Sequence, residues 1–321
     1  MAGLMSGCLL CGSRDVAVVD RVAFSDLRQL WFETFEVDIA TCLDVPYDEA
    51  DVPLRRCAAC RIEFYPPALR GNETLYDKLQ AFEFYYPKEK WEFEVALRDL
   101  ALCRDIVEIG CGPGRFLERA VSTYPETRVR GLELNADCVR TCRERGLEVE
   151  GRTIEDFAAT AGESLDAVCG FQVLEHVAAP ATFLGSAFRC LRPGGLALIS
   201  VPNAQGFTRY AVNAITDMPP HHVTRWTVDV MRRVAVLHGM ILDRVVEEPV
   251  AEYHKEAYRT VLTLRAVSAL LRRRWRRVDR MLPYRLMLAA SDRLQRAIPA
   301  SLWRYTGYPG HTLYVTFRKP T

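Results

Sequence analysis

The sequence predicts an α/β protein whose central sheet is doubly wound, mostly parallel and seven-stranded. Three observations lead to this class. A strand-like run at 107–109 breaks into three glycines at alternate positions, Gly110, Gly112 and Gly114, and a helical pattern opens directly after them. Strand and helix patterns then alternate up to residue 201, which is typical of a parallel sheet covered by helices on both faces. With 321 residues and 49% hydrophobic content, the chain can bury such a core.

The predicted elements follow one another in a regular order. Strand patterns lie at 107–109, 129–135, 147–149, 165–171, 196–201, 239–247 and 312–317, and helical patterns at about 88–101, 115–120, 136–145, 180–190 and 228–237. The last two strands are far apart in sequence. We therefore interpret residues 255–300 as an insertion ahead of the last strand.

Charge and hydropathy narrow the choice of partners and location. The chain has 42 basic and 41 acidic side chains and a net charge of +1, so no overall field draws it to nucleic acid. No apolar run approaches the roughly 20 residues of a membrane span, and the amino terminus lacks a signal-sequence pattern. We therefore expect a cytoplasmic protein. In that reducing compartment the eleven cysteines are expected to be core residues or metal ligands rather than disulfides.

Four cysteines form two C-x-x-C pairs, Cys8 with Cys11 and Cys57 with Cys60. Each pair can present two thiolates to one tetrahedral ion, which predicts zinc. A closed site of four thiolates is structural, because catalytic zinc keeps an open position. The alternative is that these thiols are small core hydrophobes. Cys42 has no partner nearby in sequence and is expected to pack in the core.

Glycines and one acid mark a ligand crevice at the carboxyl ends of the strands. Gly110, Gly112 and Gly114 carry no side chain that would keep a ligand from the backbone N–H groups, and such turns often need positive φ. Arg115 stands where the dinucleotide pattern G-x-G-x-x-G has its last glycine, which disfavours a nicotinamide cofactor. Glu133 ends the second strand, 19 positions beyond Gly114. A carboxylate at that distance can accept both hydroxyls of a ribose.

The loop after the strand at 196–201 carries two adjacent histidines, His221 and His222. Loops at this edge of such folds carry substrate chemistry. A neutral imidazole can take the proton of a substrate hydroxyl, and we place His222 before His221 in that role. The alternative is that one histidine caps the next helix or hydrogen-bonds the backbone. Thr227 is expected to cap that helix.

The insertion is strongly basic. Residues 255–300 hold twelve basic and three acidic residues, a net charge of +9 that leaves the rest of the chain at −8. Helical spacing predicts one amphipathic helix through Leu264, Val267, Leu271, Trp275, Val278 and Leu282, and a second through Tyr284, Met287, Leu288, Ser291, Leu294 and Ile298. Such a surface can lie on an anionic membrane or meet an anionic, lipid-linked substrate. The alternatives are a lid or a homodimer contact with solvated arginines.

Five segments between residues 104 and 201 stand in the order and spacing typical of class I S-adenosylmethionine-dependent methyltransferases. They are VEIGCGPG, GLELN, TIEDF, FQVLEHV and LRPGG. The chain resembles this family, and the resemblance implies a Rossmann-like fold and bound S-adenosyl-L-methionine. The residues assigned to cofactor binding are Glu108, Gly110, Cys111, Gly112, Gly114, Glu133, Leu134, Ile154, Glu155, Asp156, Phe171, Gln172, Tyr86 and Trp91.

The resemblance also implies particular roles. In this family an acid in the third segment receives the adenine amino group, which maps to Asp156 or the adjacent Glu155; the alternative is a helix cap. Phe171 and Gln172 leave the fourth strand and should face the cofactor. His176, in FQVLEHV, is a third candidate base, although the family uses this dipeptide structurally.

The helix before the glycine turn covers the cofactor in this family. Tyr85, Tyr86 and Trp91 are therefore candidates to line its pocket, with plain core packing as the alternative. The cysteine pairs are similar to the zinc-binding segment of deoxysugar C-methyltransferases. The chain then divides into a zinc-ribbon-like segment (1–71), an aromatic-rich helical cover (72–103), the S-adenosylmethionine-binding domain (104–254), a basic helical insertion (255–305) and the last strand of that domain (306–321).

The predicted function is methyl transfer from S-adenosylmethionine to a small polar acceptor, a hydroxyl of a saccharide, glycolipid or secondary metabolite. One alternative is a nucleic-acid or protein methyltransferase that uses the zinc segment for recognition. The near-neutral charge and the absence of an Asn/Asp-Pro-Pro-Tyr signature speak against it. Another alternative is a non-catalytic S-adenosylmethionine-binding partner protein.

Overall fold

A computed structural model describes residues 7–82, 85–87, 89–305 and 307–321. Phe84 and Lys88, both part of the predicted aromatic cover, lie outside the described residues. The strands are β1 (Val16–Ala23), β2 (Asp51–Cys57), β3 (Glu63–Phe64), β4 (Asp105–Ile109), β5 (Arg128–Leu132), β6 (Glu148–Glu150), β7 (Leu165–Phe171), β8 (Leu191–Pro202), β9 (Thr224–Arg225), β10 (Ile241–Glu247) and β11 (Thr312–Arg318). The α-helices are α1 (Phe24–Phe35), α2 (Glu73–Leu79), α3 (Trp91–Asp99), α4 (Arg115–Thr123), α5 (Ala136–Glu144), α6 (Ile154–Ala161), α7 (Pro180–Cys190), α8 (Val228–His238), α9 (Lys255–Leu270) and α10 (Leu282–Ala297).

The central sheet has seven strands in the order β10-β11-β8-β7-β4-β5-β6. Strands β4 to β8 are parallel, whereas β11 runs antiparallel to both β8 and β10. The predicted seven-stranded, mostly parallel sheet is confirmed. Chain order reverses at β4, which pairs with β5 on one side and β7 on the other. Ligands of open α/β sheets bind at such a switch point, outside the carboxyl ends of the strands.

Helices cover both faces of this sheet because its strands are apolar on both sides. On β7, Val168 belongs to the apolar cluster that contains residues of α6, α7 and α8. Its neighbours Ala167 and Cys169 belong to the cluster that contains residues of α3, α4 and α5. Successive strand residues point to opposite faces, so the two clusters are the two halves of one layered core.

The amino-terminal segment forms a second sheet, antiparallel, in the order β1-β2-β3-β9. Its last strand, β9, comes from the loop that follows β8, so this sheet joins the cysteine-containing segment to that loop. Tyr65 donates its backbone N–H to Val223 over 2.9 Å, and Trp31 donates its indole N–H to the Pro219 carbonyl over 3.2 Å. The segment therefore supports the loop that carries the two adjacent histidines.

The first predicted helix of the insertion was expected to continue to Leu282, and this prediction is wrong. Helix α9 ends at Leu270, and Arg272 then adopts a left-handed φ of 51° that stops the helical hydrogen bonding. Asn213 binds the connecting segment instead. Its side chain donates to the Asp279 carbonyl over 3.0 Å and accepts the Asp279 N–H over 2.9 Å. Helical spacing in the sequence could not reveal this distant partner.

Candidate functional site

The glycine turn joins β4 to α4, and its conformation requires glycine. Gly110, Gly112 and Gly114 have φ values of 67°, 51° and 79°. A Cβ at Gly110 would lie 2.6 Å from a methyl of Val173, and one at Gly112 would lie 2.8 Å from the ring of Tyr86. Only a residue without a side chain fits this bend at low cost.

Glu133, at the end of β5, is bound to the glycine turn through its side chain. One carboxylate oxygen accepts the N–H of Gly112 over 2.8 Å. The other accepts the N–H groups of Leu134 and Asn135, each over 2.8 Å. The carboxylate is therefore fixed at the strand ends, where the sequence places a ribose ligand.

A cavity of about 660 Å³ opens beside the turn, over the carboxyl ends of β4 and β7. Many predicted site residues line it: Tyr85, Tyr86, Glu108, Gly110, Cys111, Gly112, Phe171, Gln172, His176, His221 and His222. The structure thus brings the glycine turn, the exit of β7 and all three predicted histidines to one space. This volume lies in the range of ligand and cofactor sites.

Other predicted residues are not among the described residues of the cavity wall. They are Trp91, Gly114, Glu133, Leu134, Ile154, Glu155 and Asp156. Asp156 lies in the first turn of α6, where Thr153 is the N-cap and its hydroxyl donates to the Asp156 carboxylate over 2.9 Å. A cap contact of this kind matches the alternative interpretation of Asp156. Trp91 packs against the apolar cluster that contains residues of α3, α4 and α5.

Glu92 and Glu108, two acids of the wall, are buried. Burial raises the pKa of Glu108 well above its usual value, and its Oε2 has no hydrogen-bond partner among the described residues. Glu92 accepts from the Gln172 side-chain amide over 3.2 Å and lies 3.3 Å from the Ser200 hydroxyl. Gln172 itself has φ of 57°, a strained value of the kind that clusters at functional sites.

Three imidazoles, His176, His221 and His222, form what we call the histidine cluster. Nδ1 of His176 donates to the His221 carbonyl over 2.7 Å, and Nδ1 of His221 donates to the Thr216 carbonyl over 2.9 Å. Nδ1 of His222 lies 3.5 Å from a carboxylate oxygen of Asp217. One ring nitrogen from each of the three lies within 4.8 Å of the others.

Glu175 faces this cluster. Its Oε1 lies 3.9 Å from Nε2 of His176 and 3.9 Å from Nε2 of His222. Both carboxylate oxygens are buried and have no hydrogen-bond partner among the described residues. An isolated buried carboxylate is costly, and burial raises the pKa of Glu175 to about 8.

The electrostatic environment keeps the three rings neutral at pH 7. Burial lowers the pKa of His176 to about 3, and it holds the pKa of His221 well below its usual value. Burial also lowers the pKa of His222, although Asp217 acts in the opposite direction. Asp217 stays ionised: burial alone would raise its pKa, but the neighbouring imidazoles of His222 and His311 hold that pKa well below the usual range. Neutral imidazole is the form that accepts protons or ligates metals.

Among the site residues that the sequence analysis missed are Glu175, Asp217 and His311, each for a different reason. Glu175 was visible beside His176 but has no signal of its own, because its unpaired burial is a tertiary property. Asp217 stood in the histidine loop without any pattern marking it. His311 lies about ninety positions downstream, and its Nε2 is 3.9 Å from Asp217 only because β11 inserts beside β8.

The four paired cysteines, Cys8, Cys11, Cys57 and Cys60, form what we call the cysteine cluster. The Cys8–Cys60 sulfurs are 3.4 Å apart and the Cys11–Cys57 sulfurs 3.6 Å apart. All four sulfurs lie within 4.8 Å of one another. Four thiolates around a tetrahedral ion, with bonds of about 2.3 Å, have sulfurs separated by about 3.8 Å. The donor set therefore fits zinc. Cys42 is fully buried, as predicted.

Comparison with known proteins agrees with this geometry. The sequence pattern of the methyltransferase domain family matches residues 72–237. Ubiquinone biosynthesis O-methyltransferase of Parvibaculum lavamentivorans is 30% identical over 163 residues, which is 47% of this chain and 61% of that protein. Trans-aconitate 2-methyltransferase of Azoarcus sp. is 31% identical over 97 residues, 30% of this chain and 38% of that protein. The chain thus spans between 38% and 61% of the length of these two curated relatives.

Among solved structures, a SAM-dependent methyltransferase from Archaeoglobus fulgidus aligns with 71% of this chain and 94% of its own, at 17% identity and a TM-score of 0.46. A glycine turn at the switch point of a mostly parallel sheet defines an α/β protein of the nucleoside-binding class. Within that class, the chain belongs to the methyltransferase domain family and holds a class I S-adenosylmethionine-dependent methyltransferase domain. In the described part of the chain, no helix is long and apolar enough to cross a membrane.

Proposed function

We propose that this protein transfers a methyl group from S-adenosylmethionine to a hydroxyl of a small polar acceptor, such as a saccharide, a glycolipid or a secondary metabolite. The observation that carries the proposal is the single cavity that joins the glycine turn to the histidine cluster. The cofactor supplies an electrophilic methyl group on a sulfonium. The protein must then hold the acceptor in line with that methyl and deal with the hydroxyl proton.

The residues present fit this cofactor. A Cβ at Gly110 or Gly112 would clash with neighbouring side chains, so the glycines keep the turn open to the cofactor. Glu108 has a buried carboxyl oxygen without a partner among the described residues, and this oxygen could bind the ammonium group of the cofactor. We assign the ribose hydroxyls to Glu133 and the adenine amino group to Asp156. Glu133 would hold a ribose and the backbone of the turn together, since one of its carboxylate oxygens already accepts the Gly112 N–H.

The proton of the acceptor passes to the histidine cluster. His222 is the first candidate base because its ring is neutral and Asp217 lies behind its Nδ1. The acceptor oxygen forms the new O–C bond as the S–C bond breaks, with the bonding pair left on sulfur. The hydroxyl proton moves to Nε2 of His222, and Asp217 stabilises the imidazolium that forms.

The charge of the cavity favours a neutral acceptor. The acids of the described wall are Glu89, Glu92, Glu108, Glu175 and Asp217, and its permanent cations are Lys90 and Arg115. Burial raises the pKa of Glu108 and of Glu175, so these two are uncharged at pH 7. A carboxylate acceptor would still find no surplus of positive charge at this wall, and repulsion from the ionised acids disfavours it. A hydroxyl acceptor avoids that repulsion and can hydrogen-bond to the same acids.

The proposal is tested by isothermal titration with S-adenosylmethionine. Glu133→Ala is expected to weaken binding at least about tenfold, because a charged hydrogen-bond partner is lost. Glu148→Ala, on an exposed acid of the neighbouring strand, is the matched control and should bind as the wild type does. Equal affinity of all three proteins would remove Glu133 from the site. Radiolabelled methyl transfer into fractionated lysate, followed by identification of the labelled product, then gives the acceptor.

We also propose that the cysteine cluster binds a structural zinc ion. The support is a donor set of four thiols at tetrahedral spacing, packed on the apolar residues Ile62 and Phe64. In the described part of the structure, the cluster has no place in the cavity wall. An ion at this position, with all four coordination positions filled by thiolates, would hold the amino-terminal sheet together without taking part in methyl transfer.

The basic insertion is proposed to dock on an anionic membrane surface. Four leucines at the α9–α10 end are exposed: Leu270, Leu271, Leu282 and Leu286. Exposed arginines lie near them in sequence: Arg272, Arg274, Arg276 and Arg285. A segment that exposes both leucines and arginines matches the apolar and anionic layers of a lipid surface.

Vesicle sedimentation tests this docking. Binding is expected to vesicles that contain phosphatidylglycerol but not to pure phosphatidylcholine, and raised salt should weaken it. Replacing Leu270, Leu271 and Leu282 together by serine should abolish binding, whereas Val236→Ser, an equally exposed position on α8, should not change it. Concentration-dependent dimerisation that is lost in the leucine variant, without vesicle binding, would instead assign this surface to a second copy.

A further inference from the structure

The histidine cluster and Glu175 show the features of a metal site. Three imidazoles lie together beside the cavity, and the Glu175 carboxyl group approaches two of them, His176 and His222. The Glu175 oxygens are fully buried without a partner among the described residues. In its ionised form, a buried and unpaired carboxyl group needs a positive group to offset its desolvation. Among the described residues, only His176 and His222 lie within ion-pair distance of Glu175, and both of these imidazole rings are neutral.

The outer hydrogen bonds of the rings are those of metal ligands. A ligating histidine almost always donates its second ring N–H to a carbonyl or a carboxylate, which sets the tautomer. Nδ1 of His176 and of His221 each donate to a backbone carbonyl, and Nδ1 of His222 faces Asp217. In each ring this arrangement leaves the lone pair on Nε2, the atom available to an ion.

The inner distances are close to those of a coordination shell. Oε1 of Glu175 lies 3.9 Å from Nε2 of both His176 and His222. Donors at about 2.1 Å from one tetrahedral ion lie about 3.4 Å apart, so these two distances exceed the ideal separation by about 0.5 Å. His221 stacks on His222 with ring centroids 4.4 Å apart, which places it as a further donor or as a support for its neighbour.

We propose that His176, His222 and Glu175, with His221 beside them, bind a divalent first-row transition ion that takes the acceptor oxygen as an additional ligand. Imidazole and carboxylate donors suit zinc, iron(II) or manganese(II), and three protein ligands leave open positions for a substrate. The inference rests on the proposed methyl transfer. A bound ion would lower the pKa of the acceptor hydroxyl, whose proton would leave to solvent. The resulting oxygen anion would form the new O–C bond as the S–C bond breaks, with the bonding pair left on sulfur.

The Nε2 lone pair of His222 can either ligate a metal ion or accept a proton, but it cannot do both at once. With the ion bound, the ion takes over the activation that His222 supplies in the metal-free protein. The acids at this position agree with the assignment. Ionised Glu175 and Asp217 together carry two negative charges, which match a divalent ion, whereas an imidazolium carries only one positive charge.

The test is titration of chelator-treated full-length protein with Co²⁺, which reports its ligands in the visible spectrum. Wild type is expected to bind two ions, one with thiolate charge-transfer bands and one without. Glu175→Gln and His222→Asn should each weaken the second binding by about 10–100-fold or more while keeping the thiolate bands. Glu92→Gln, a cavity acid outside the cluster, is the matched control and should retain both ions; circular dichroism checks that each variant folds.

A single thiolate-type ion in wild type would overturn the metal inference. Full methyl transfer after removal of the second ion would do the same, and it would leave the proposed function and the His222 base intact. Loss of S-adenosylmethionine binding in a protein that holds both ions would instead contradict the proposed function. In the outcome that supports both, the second ion raises the transfer rate at least about 100-fold at unchanged cofactor affinity.

Discussion

The cysteine cluster and the histidine cluster both gather side chains that ligate divalent ions, but they differ in donor type and in position. The cysteine cluster offers four sulfurs, which close a tetrahedral shell and leave no position for a substrate. The histidine cluster offers imidazoles and the Glu175 carboxylate at the wall of a cavity of about 660 Å³. Both sites have the donor atoms to bind an ion, so that ability does not distinguish them. A structural metal site differs from a catalytic one in the number of protein ligands and in its access to a cavity.

The two clusters are also connected. Cys57 ends β2 and Cys60 precedes β3, while β9 begins two residues after His222. Strands β3 and β9 pair with each other, with Phe64 opposite Thr224. An ion at the cysteine cluster would therefore stiffen the strand on which the histidine loop rests. The predictions below test whether the two sites nevertheless keep separate roles.

The largest effect is expected from Cys57→Ser. Loss of one thiolate should release the ion and lower the free energy of unfolding by about 5 kcal/mol, because the binding energy of a structural metal is folding energy. Metal analysis and chemical denaturation measure the two quantities. Cys42→Ser is the matched control, since Cys42 is as fully buried but lies outside the cluster. Equal destabilisation by the two substitutions, with no metal lost, would reduce the cysteine cluster to core packing.

The next effect concerns His222→Ala in the histidine cluster. We expect the rate of methyl transfer to fall by about 10²–10³-fold, whether His222 acts as base or as ligand. The free energy of unfolding and the affinity for S-adenosylmethionine should change little, because the side chain acts on the acceptor. Single-turnover kinetics and titration separate these quantities. Severe unfolding of this variant would show that the histidine cluster, like the cysteine cluster, is structural.

A smaller effect is expected at Gly112, which belongs to neither cluster. Gly112→Ala places a Cβ at a φ of 51° and 2.8 Å from the ring of Tyr86. Strain of about 1–2 kcal/mol should weaken S-adenosylmethionine binding by about tenfold and leave both metal contents unchanged. Gly146→Ala has a similar φ of 79° but no atom within 4 Å, so it separates backbone strain from the clash.

The smallest effect is a pH-dependent one, far from both clusters. Burial alone would raise the pKa of Asp166, but hydrogen bonds from Arg192 and from the N–H groups of Arg104 and Asp105 hold it below its usual value. A lowered carboxyl pKa adds stability above the unfolded-state pKa, and this contribution is lost as pH falls through the folded-state pKa. Asp166→Asn should cost about 1 kcal/mol at pH 7, since solvent screens the half-exposed Arg192.

The Asp166→Asn difference from wild type should shrink in the acid range as the native carboxylate becomes protonated. Urea denaturation at a series of pH values measures it, with metal content recorded alongside. A constant difference at every pH would show that the carboxylate charge is not the cause. Unchanged metal content gives the baseline against which the two cluster variants are compared.

Local patterns in the sequence were sufficient for much of this architecture. The glycine turn, the alternation of strands and helices and the capping Thr227 were predicted because each depends on neighbouring residues, and Thr227 does accept the Val230 N–H. The two C-x-x-C pairs were also visible, since their spacing alone predicts a shared ion. The break between α9 and α10 was not predicted, because Asn213, a residue distant in sequence, binds the connecting segment.

What the sequence by itself determined is therefore the succession of strands and helices along the chain, the bend that needs glycine and the identity of the candidate ligands. Only the tertiary structure decided which of those side chains meet. It buried Glu175 without a partner between His176 and His222, and it brought His311, the residue before β11, to Asp217. The physical reason is that backbone conformation follows from local sterics and hydrogen bonding, whereas burial and the pairing of charges depend on contacts between residues far apart in the chain.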